Sequence, residues 1–307
     1  MNFSSRNLHE LVIIYGANGF LGSVIIKRLH KSGIPLLAVI RPYSDKSRLE
    51  GLKNLEVVEE ESFNWPQLIE KYKPGAVICA QWRGVSKSDR EDSEIQESNI
   101  QPLIDLAHAA LASSVQTFIC FGSQAESQKS IQKIPEETCS SGTTAYGRVK
   151  AELHSSLESI FNESKCRFVW ARVFSVYGPS DTSDSLLMQL HESESQAIKL
   201  EIENPRTLWS FLYEDDFAAA VERILQSTDI EGIINIGNPL LVEIQFVVDA
   251  WFESSLKPYI RVENTNASEG FFPDLRKLKS TGWTSGVSLE EGIQRTRKAY
   301  REHFNSN

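Results

Sequence analysis

Residues 11–29 read LVIIYGANGFLGSVIIKRL. The apolar run 11–15 passes without a break into Gly16-Ala-Asn-Gly19-Phe-Leu-Gly22. Beyond it, Leu21, Val24, Ile25 and Leu29 recur on one face at helical spacing. Strand, glycine turn and helix in direct succession are the context in which such a turn holds a dinucleotide. Gly16 permits the tight turn, Gly19 lets the backbone approach a pyrophosphate, and Gly22 lets the helix lie close to the sheet. The helix N-terminus then offers free N–H groups and a partial positive charge to the phosphates.

The alternation continues outward from this stretch. Strand-like apolar runs fall at 36–40, 55–58, 75–80, 116–121 and 167–173. Between them, Leu103, Leu106, Ala107, Ala110 and Leu111 share another helical face. Continuous apolar strands separated by amphipathic helices predict a parallel sheet covered on both faces, an α/β fold. Right-handed crossovers make that sheet doubly wound. After about Val176 the pattern changes. Residues 180–206 are polar and acidic with one helical stretch near 184–191, and 208–213 is strand-like. Phe217, Val221 and Leu225 mark a helix, 232–237 a buried strand and 288–303 a charged helix. We therefore expect a dinucleotide-binding domain over 1–175, to which 209–237 returns. A smaller substrate lobe over 176–307 would lie on it as a lid.

Composition narrows the class. The 307 residues are 41% hydrophobic and 24% charged, enough for a sizeable globular core. The net charge of -9 argues against a nucleic-acid partner, which calls for a basic face. Cys79, Cys120, Cys139 and Cys166 show no CxxC spacing and no adjacent histidine pair, so neither a metal site nor a disulfide framework is expected. The stretch Leu11–Ile26 is broken by three glycines and an asparagine and does not read as a membrane span. The N-terminal MNFSSRNLHE is too polar for a signal peptide. A cytoplasmic protein without a membrane partner is the expectation.

Candidate chemistry lies at three places. Tyr146 and Lys150 are four apart, hence on one helix face. A nearby ammonium favours the phenolate and would bring the phenol toward acid–base work. Ser123 follows the 116–121 strand, at the sheet end where ligands of open parallel sheets bind. Its hydroxyl could hydrogen-bond a substrate carbonyl beside the tyrosine. After the second strand stands Arg41, where NAD enzymes tend to place an acid for the ribose 2′-hydroxyl. A cation there, with Ser44, Lys46 or Arg48 nearby, favours NADP(H) over NAD.

Taken together, these segments resemble the extended short-chain dehydrogenase/reductases of the nucleotide-sugar epimerase/dehydratase group. The resemblance rests on GANGFLG, AVICA, Asn99 of ESNIQPL, FGSQAE and AYGRVKAE. It continues through ARVFSVYGPSD (171–181), WSFLYEDDFAAAV (209–221), IINIGN (233–238) and LKSTGW with SLEEG (278–292). It implies a Rossmann lobe, a smaller lobe for a nucleoside diphosphate sugar, and Ser123, Tyr146 and Lys150 as catalytic. It implies Gly16, Gly19, Phe20, Leu21, Gly22, Arg41, Ala80, Tyr146, Lys150 and Phe174 as cofactor contacts, and Gln124, Ser175 and Trp209 as substrate contacts. It also implies a homodimer through the helices near 98–112 and 146–162. Tyr177-Gly-Pro-Ser-Asp181 would sit where nicotinamide and sugar meet. Asp215 and Asp216 resemble the family's structural pair and are read as N-caps, and Glu59-Glu60-Glu61 as a solvated loop.

Departures from the family narrow the reaction. Its dehydratases carry Asp-Glu directly after the catalytic hydroxyl residue, where this chain has Gln124-Ala125. Fucose synthases place a cysteine where Ala125 stands. Many members have an arginine in place of Trp209 and a Tyr-Gly in place of Ser127-Gln128. What remains resembles the reductases of NDP-4-keto-6-deoxysugars. A 4-epimerase retaining NAD is the alternative. A cofactor-sensing regulator is a third possibility, but it would need no Tyr–Lys pair.

Overall fold

The computed structural model describes residues 10–59, 64–130, 132–137, 142–181, 184–197, 199–202, 204–252, 260–262 and 269–304. The first nine residues, Glu60, Glu61 and Cys139 lie outside the described residues. In chain order the elements begin with β1 (Val12–Tyr15), α1 (Phe20–Lys31), β2 (Leu36–Ile40), β3 (Glu56–Glu59), α2 (Trp65–Tyr72) and β4 (Ala76–Cys79). There follow α3 (Ser93–Glu97), α4 (Ile100–Ala112), β5 (Thr117–Ser123), β6 (Lys133–Ile134), α5 (Ala145–Phe161) and β7 (Arg167–Val173). The second half holds β8 (Val176–Tyr177), α6 (Leu186–Gln196), β9 (Leu200–Ile202), β10 (Leu208–Trp209), β11 (Leu212–Tyr213) and α7 (Glu214–Gln226). It ends with β12 (Gly232–Ile236), β13 (Val242–Glu243), α8 (Ile244–Phe252), β14 (Ile260–Val262), β15 (Phe272–Pro273), α9 (Arg276–Ser280) and α10 (Leu289–Phe304).

Seven strands form one sheet in the order β12-β7-β5-β4-β1-β2-β3. Every neighbouring pair is parallel. The order turns at β1: the chain first moves out to β2 and β3, then returns to β4 on the other side. Such a switch point opens a crevice at the carboxyl ends of its strands. The doubly wound α/β sheet expected from the apolar runs is thus present.

Strand periodicity divides the core in two. Val12, Ile14, Ala38, Ile40, Ile78, Ile119 and Phe121 face one side, against Ile25 and Leu29 of α1 and Phe217, Val221 and Ile224 of α7. Ile13, Tyr15, Leu37, Val39, Val77, Cys79, Phe118 and Cys120 face the other, against Leu68 of α2, Leu103 and Leu106 of α4, and Leu153 and Leu157 of α5. Residues buried alternately on two faces leave no polar position, which is why these strands read as unbroken apolar runs. A third cluster, with Tyr177, Leu190, Trp251, Ile293 and Tyr300, lies among the C-terminal elements.

The segment 208–213 departs from the single strand expected of it. It forms two short strands in different ladders: β10 pairs with β13 and β11 with β8. Ser210 between them is fully buried, and its hydroxyl donates to the Asn238 carbonyl at 2.9 Å while accepting the Asn238 N–H at 2.7 Å. That side-chain bridge takes the place of continued pairing. Cys79, Cys120 and Cys166 are buried. Among the described residues, no helix is long and apolar enough to cross a membrane, and no group of three or more His, Cys, Asp or Glu could hold a metal ion.

Phe217 of α7 is fully buried and packs on Phe121, two residues before the end of β5. Phe217→Ala should leave a cavity under that strand end and lower stability by about 3–5 kcal/mol in denaturant unfolding.

Candidate active site

The glycine turn faces the crevice between β1 and β4. Gly16 has φ +79°, and a Cβ there would stand 2.5 Å from the Gln81 nitrogen and 2.8 Å from the Ala80 carbonyl carbon. A Cβ on Gly22 would overlap the Gly16 carbonyl oxygen, so α1 rests directly on the turn. Gly19 is the N-cap of α1; no side chain caps that end and no acid sits in its first turn. Phe20 and Leu21 open the same turn, and Ala80 N–H donates to the Tyr15 carbonyl at the mouth of the crevice (2.8 Å). Glycine cradle and uncapped helix end fit a dinucleotide pyrophosphate.

At the rim beyond β2, Arg41 is exposed. Arg48 donates to the Asn18 carbonyl of the glycine turn at 3.4 Å. Lys46 instead pairs with Glu59 at 2.5 Å, which ties it to β3. Of the three cations that the sequence groups there, Lys46 alone is paired with β3, and Arg48 reaches the glycine turn.

At the carboxyl end of β5 the chain brings Ser123, Tyr146 and Lys150 together. Ser123 caps a single turn of 3-10 helix over Gln124–Glu126. Its N–H donates to Glu126 Oε1 at 2.6 Å and its Oγ accepts from Ala125 N–H at 3.2 Å. The Ser123 side chain lies close enough to Tyr146 to act on its phenol. Tyr146 opens α5, whose N-cap Thr144 accepts from Gly147 N–H at 3.0 Å. A Cβ on Gly147 would overlap the Ala125 carbonyl oxygen, so this glycine lets α5 approach the serine turn. One turn on, buried Lys150 donates from Nζ to the Phe121 carbonyl at 2.6 Å.

Electrostatics here differ from the sequence expectation that Lys150 draws the phenol down. Burial pushes the Tyr146 phenol above its ordinary value, against the lowering effects of Arg90 and of the Ser123 side chain. Arg90 places its guanidinium carbon 5.4 Å from the Tyr146 ring centroid. The Lys150 ammonium lies 5.9 Å from that centroid, and burial brings Lys150 down to about 8. A phenol held in this way stays protonated at neutral pH, the form that donates a proton.

Beneath Ser123 lies a buried polar network. The fully buried Glu126 carboxylate accepts from Ser123 N–H, from Trp170 Nε1 at 3.0 Å and from Arg172 Nε at 3.3 Å. Arg172, also fully buried, donates onward to the Pro135 carbonyl and to Asn235 Oδ1. The sequence pointed to Gln124 and Ala125 but not to Glu126, whose signal is an acid three residues after Ser123, the spacing of a capping box. Nor did it point to Trp82 and Arg90, which approach Tyr146 from the 80–92 segment, where no strand or helix periodicity marks them.

The other predicted positions separate. Gln124 and Ser175 meet: Ser175 Oγ donates to Gln124 Oε1 at 3.2 Å. Ser175 has φ +33°, a conformation side chains rarely adopt and one that collects at functional sites. Phe174 is fully buried, and its N–H donates to the Ile236 carbonyl. Trp209 stands apart from the triad, packed on Phe211 and Phe271. Tyr177 is buried in the third core cluster, its hydroxyl donating to the Leu289 carbonyl. The expected N-capping by Asp215 and Asp216 is not what forms: the N-cap is Tyr213, without a side-chain cap. Asp216 instead accepts from Gly286 and Val287 N–H at 2.9 and 3.0 Å, and Asp215 pairs with Arg295. The acids still favour the helix N-terminus through its dipole.

Glu214, ahead of them, accepts from Ser180 N–H at 2.9 Å and Ser180 Oγ at 3.2 Å, fastening the 178–181 turn. Burial pushes its carboxyl up to about 7. A carboxyl raised in the folded state contributes stability that is full below its ordinary value and lost as pH rises through 7. Glu214→Gln should therefore shrink the loss of unfolding free energy between pH 5 and pH 8 by about 2–3 kcal/mol, read by urea titration.

Comparison with known proteins bears on the fold. UDP-glucose 4-epimerase of Thermotoga maritima, solved with UDP-glucose, superposes at TM-score 0.83 and 19% identity, over 96% of this chain and 99% of that one. UDP-N-acetylglucosamine 4-epimerase of Methanobrevibacter ruminantium, solved with UDP-N-acetylmuramic acid, gives 0.83 at 17%, over 96% and 99%. dTDP-glucose 4,6-dehydratase of Bacillus anthracis, solved with NAD, gives 0.84 at 15%, over 96% and 98%. At these identities the likeness is one of fold. The sequence match is to the NAD dependent epimerase/dehydratase family and runs over residues 12–237, from β1 to the end of β12. The chain belongs to that family of NAD(P)-dependent enzymes, of the extended short-chain dehydrogenase/reductase type.

Proposed function

We propose that the protein is an NADP(H)-dependent reductase of the keto group of a nucleotide-linked 6-deoxysugar. The observation that carries this is the turn after Ser123, beside a Tyr146 phenol that burial pushes above its ordinary value. A reduction starts from a tyrosine that has a proton to give, whereas an oxidation starts from one that must accept it. The two side chains directly after Ser123 supply no further acid, base or thiol, since Gln124 and Ala125 stand where other reactions of the family place them, and Glu126 beyond them is engaged by Trp170 and Arg172.

Bound NADPH supplies the hydride. Gly16, Gly19 and Gly22 with the α1 N-terminus hold its pyrophosphate, and Arg41 and Arg48 meet the 2′-phosphate. Ser123 donates a hydrogen bond to the substrate carbonyl oxygen and Tyr146 gives that oxygen its proton. Lys150, fixed by the Phe121 carbonyl, reaches the ribose. Gln124 and Ser175, hydrogen-bonded to each other, flank the sugar, and the nucleotide lies toward the C-terminal elements.

The second reading is a 4-epimerase that retains NAD, supported by the likeness to solved 4-epimerases. The two separate cleanly. The reductase oxidises NADPH when given a 4-keto-6-deoxy nucleotide sugar and purifies without stoichiometric nucleotide. Near-stoichiometric NAD in the purified protein, with no NADPH oxidation, overturns the reductase.

Two variants follow from the roles assigned. Tyr146→Phe should lower kcat by about 100-fold or more, the usual contribution of a placed proton donor. Arg41→Ala should raise the KM for NADPH about tenfold while leaving that for NADH within a factor of two, as expected for losing a charge-assisted contact to one phosphate. Steady-state kinetics with both nucleotides checks each.

A further inference from the structure

One side chain outside the triad touches two of its members. Trp82 follows β4 by three residues. The Lys150 ammonium lies 3.5 Å from the centroid of its ring, and the Tyr146 ring meets it edge-on at 5.8 Å and 89°. The far edge of the indole is anchored. Nε1 donates to Gln96 Oε1 at 2.8 Å. Gln96 is fully buried, and its Nε2 donates to the carbonyls of Gly84 at 2.7 Å and Asp89 at 2.9 Å. Asn99 holds the next residue, accepting Arg83 N–H at 2.7 Å. The place of the indole is therefore set by the 83–99 segment, independently of Lys150.

Lys150 needs such a neighbour. Burial disfavours its charge, and the groups that favour it are Cys120 of β5, Glu126 and Cys79 of β4. Among the described residues no carboxylate forms an ion pair with it; Glu126 is engaged by Ser123, Trp170 and Arg172. On its own helix it faces Tyr146, and on β7 the Trp170 ring at 5.9 Å. The π face of an indole attracts a cation, most strongly where water is excluded. The ammonium thus donates to the Phe121 carbonyl while its nitrogen stands over the indole.

We propose that Trp82 is a positioning residue for Lys150, its indole face holding the buried ammonium charged and in place beside Tyr146. This rests on the role given to Lys150 above, and its test needs no substrate. Full-length protein is prepared with lysine carrying 13C at Cε, and the Lys150 resonance is identified by its loss in Lys150→Arg. Its titration is followed in wild type, in Trp82→Phe and Trp82→Leu, and in protein carrying tryptophans of increasing fluorination at position 82 alone. Fluorination weakens the π face and keeps the shape, so this series decides even where Trp82→Leu fails to fold. The midpoint should fall stepwise with fluorine number, to about one pH unit below wild type, a tenfold change in the protonation equilibrium. Trp82→Phe should fall between wild type and Trp82→Leu. Folded variants that all titrate with the wild-type midpoint overturn the proposal. That result beside normal NADPH oxidation overturns it alone; a shifted midpoint in a protein that oxidises no NADPH overturns the reductase alone.

Discussion

The hydrogen bond from the Lys150 ammonium to the Phe121 carbonyl, at 2.6 Å, ties helix α5 to the open end of strand β5. The strand delivers Ser123 two residues later, and the helix delivers Tyr146 one turn earlier on the same face. Fixing Lys150 against the strand therefore fixes the phenol against the hydroxyl. Gly147 makes the approach possible, because any side chain there would meet the Ala125 carbonyl. Parallel pairing supplies the other requirement: it sends the ends of β1, β4 and β5 to one edge of the sheet. The glycine turn after β1 and the serine turn after β5 then open on the same crevice.

The charges around that edge are arranged in layers. Glu126 and Arg172 form a fully buried pair, and each carries further hydrogen bonds. A buried pair of this kind is costly to half-remove and adds little stability in itself. Its contribution here is to hold the backbone of Ser123 from below while Arg90 lies over the Tyr146 ring from outside. Between these layers the phenol remains protonated and the ammonium is drawn toward neutrality. Neither value follows from the Tyr–Lys spacing alone, because desolvation outweighs the charges in both cases.

Much of the fold was legible because its strands are buried on both faces. Ile13 and Ile14 point to opposite cores, so the run 11–15 has no polar break, and the same holds for 36–40 and 118–121. The glycine turn was legible for a steric reason, since Gly16 and Gly22 sit where a Cβ has no room. What stayed hidden depends on partners distant in sequence. Ser210 divides 208–213 by bonding Asn238, and Asp216 leaves its own helix end for Gly286 and Val287. Trp82 and Arg90 reach the site through a loop folded over Gln96 and Asn99, which no periodicity announces. Lys46 stands with Arg41 in the sequence, but its carboxylate partner lies on another strand.

The central claim is that burial at the end of β5 keeps Tyr146 a phenol, ready to donate its proton. The ultraviolet absorbance of tyrosinate measures this directly. The titration of wild-type protein minus that of Tyr146→Phe isolates this one ring. The account predicts a difference curve whose midpoint lies above pH 10, the ordinary phenol value. A midpoint near neutral pH would contradict it, because the tyrosine would then stand as a base.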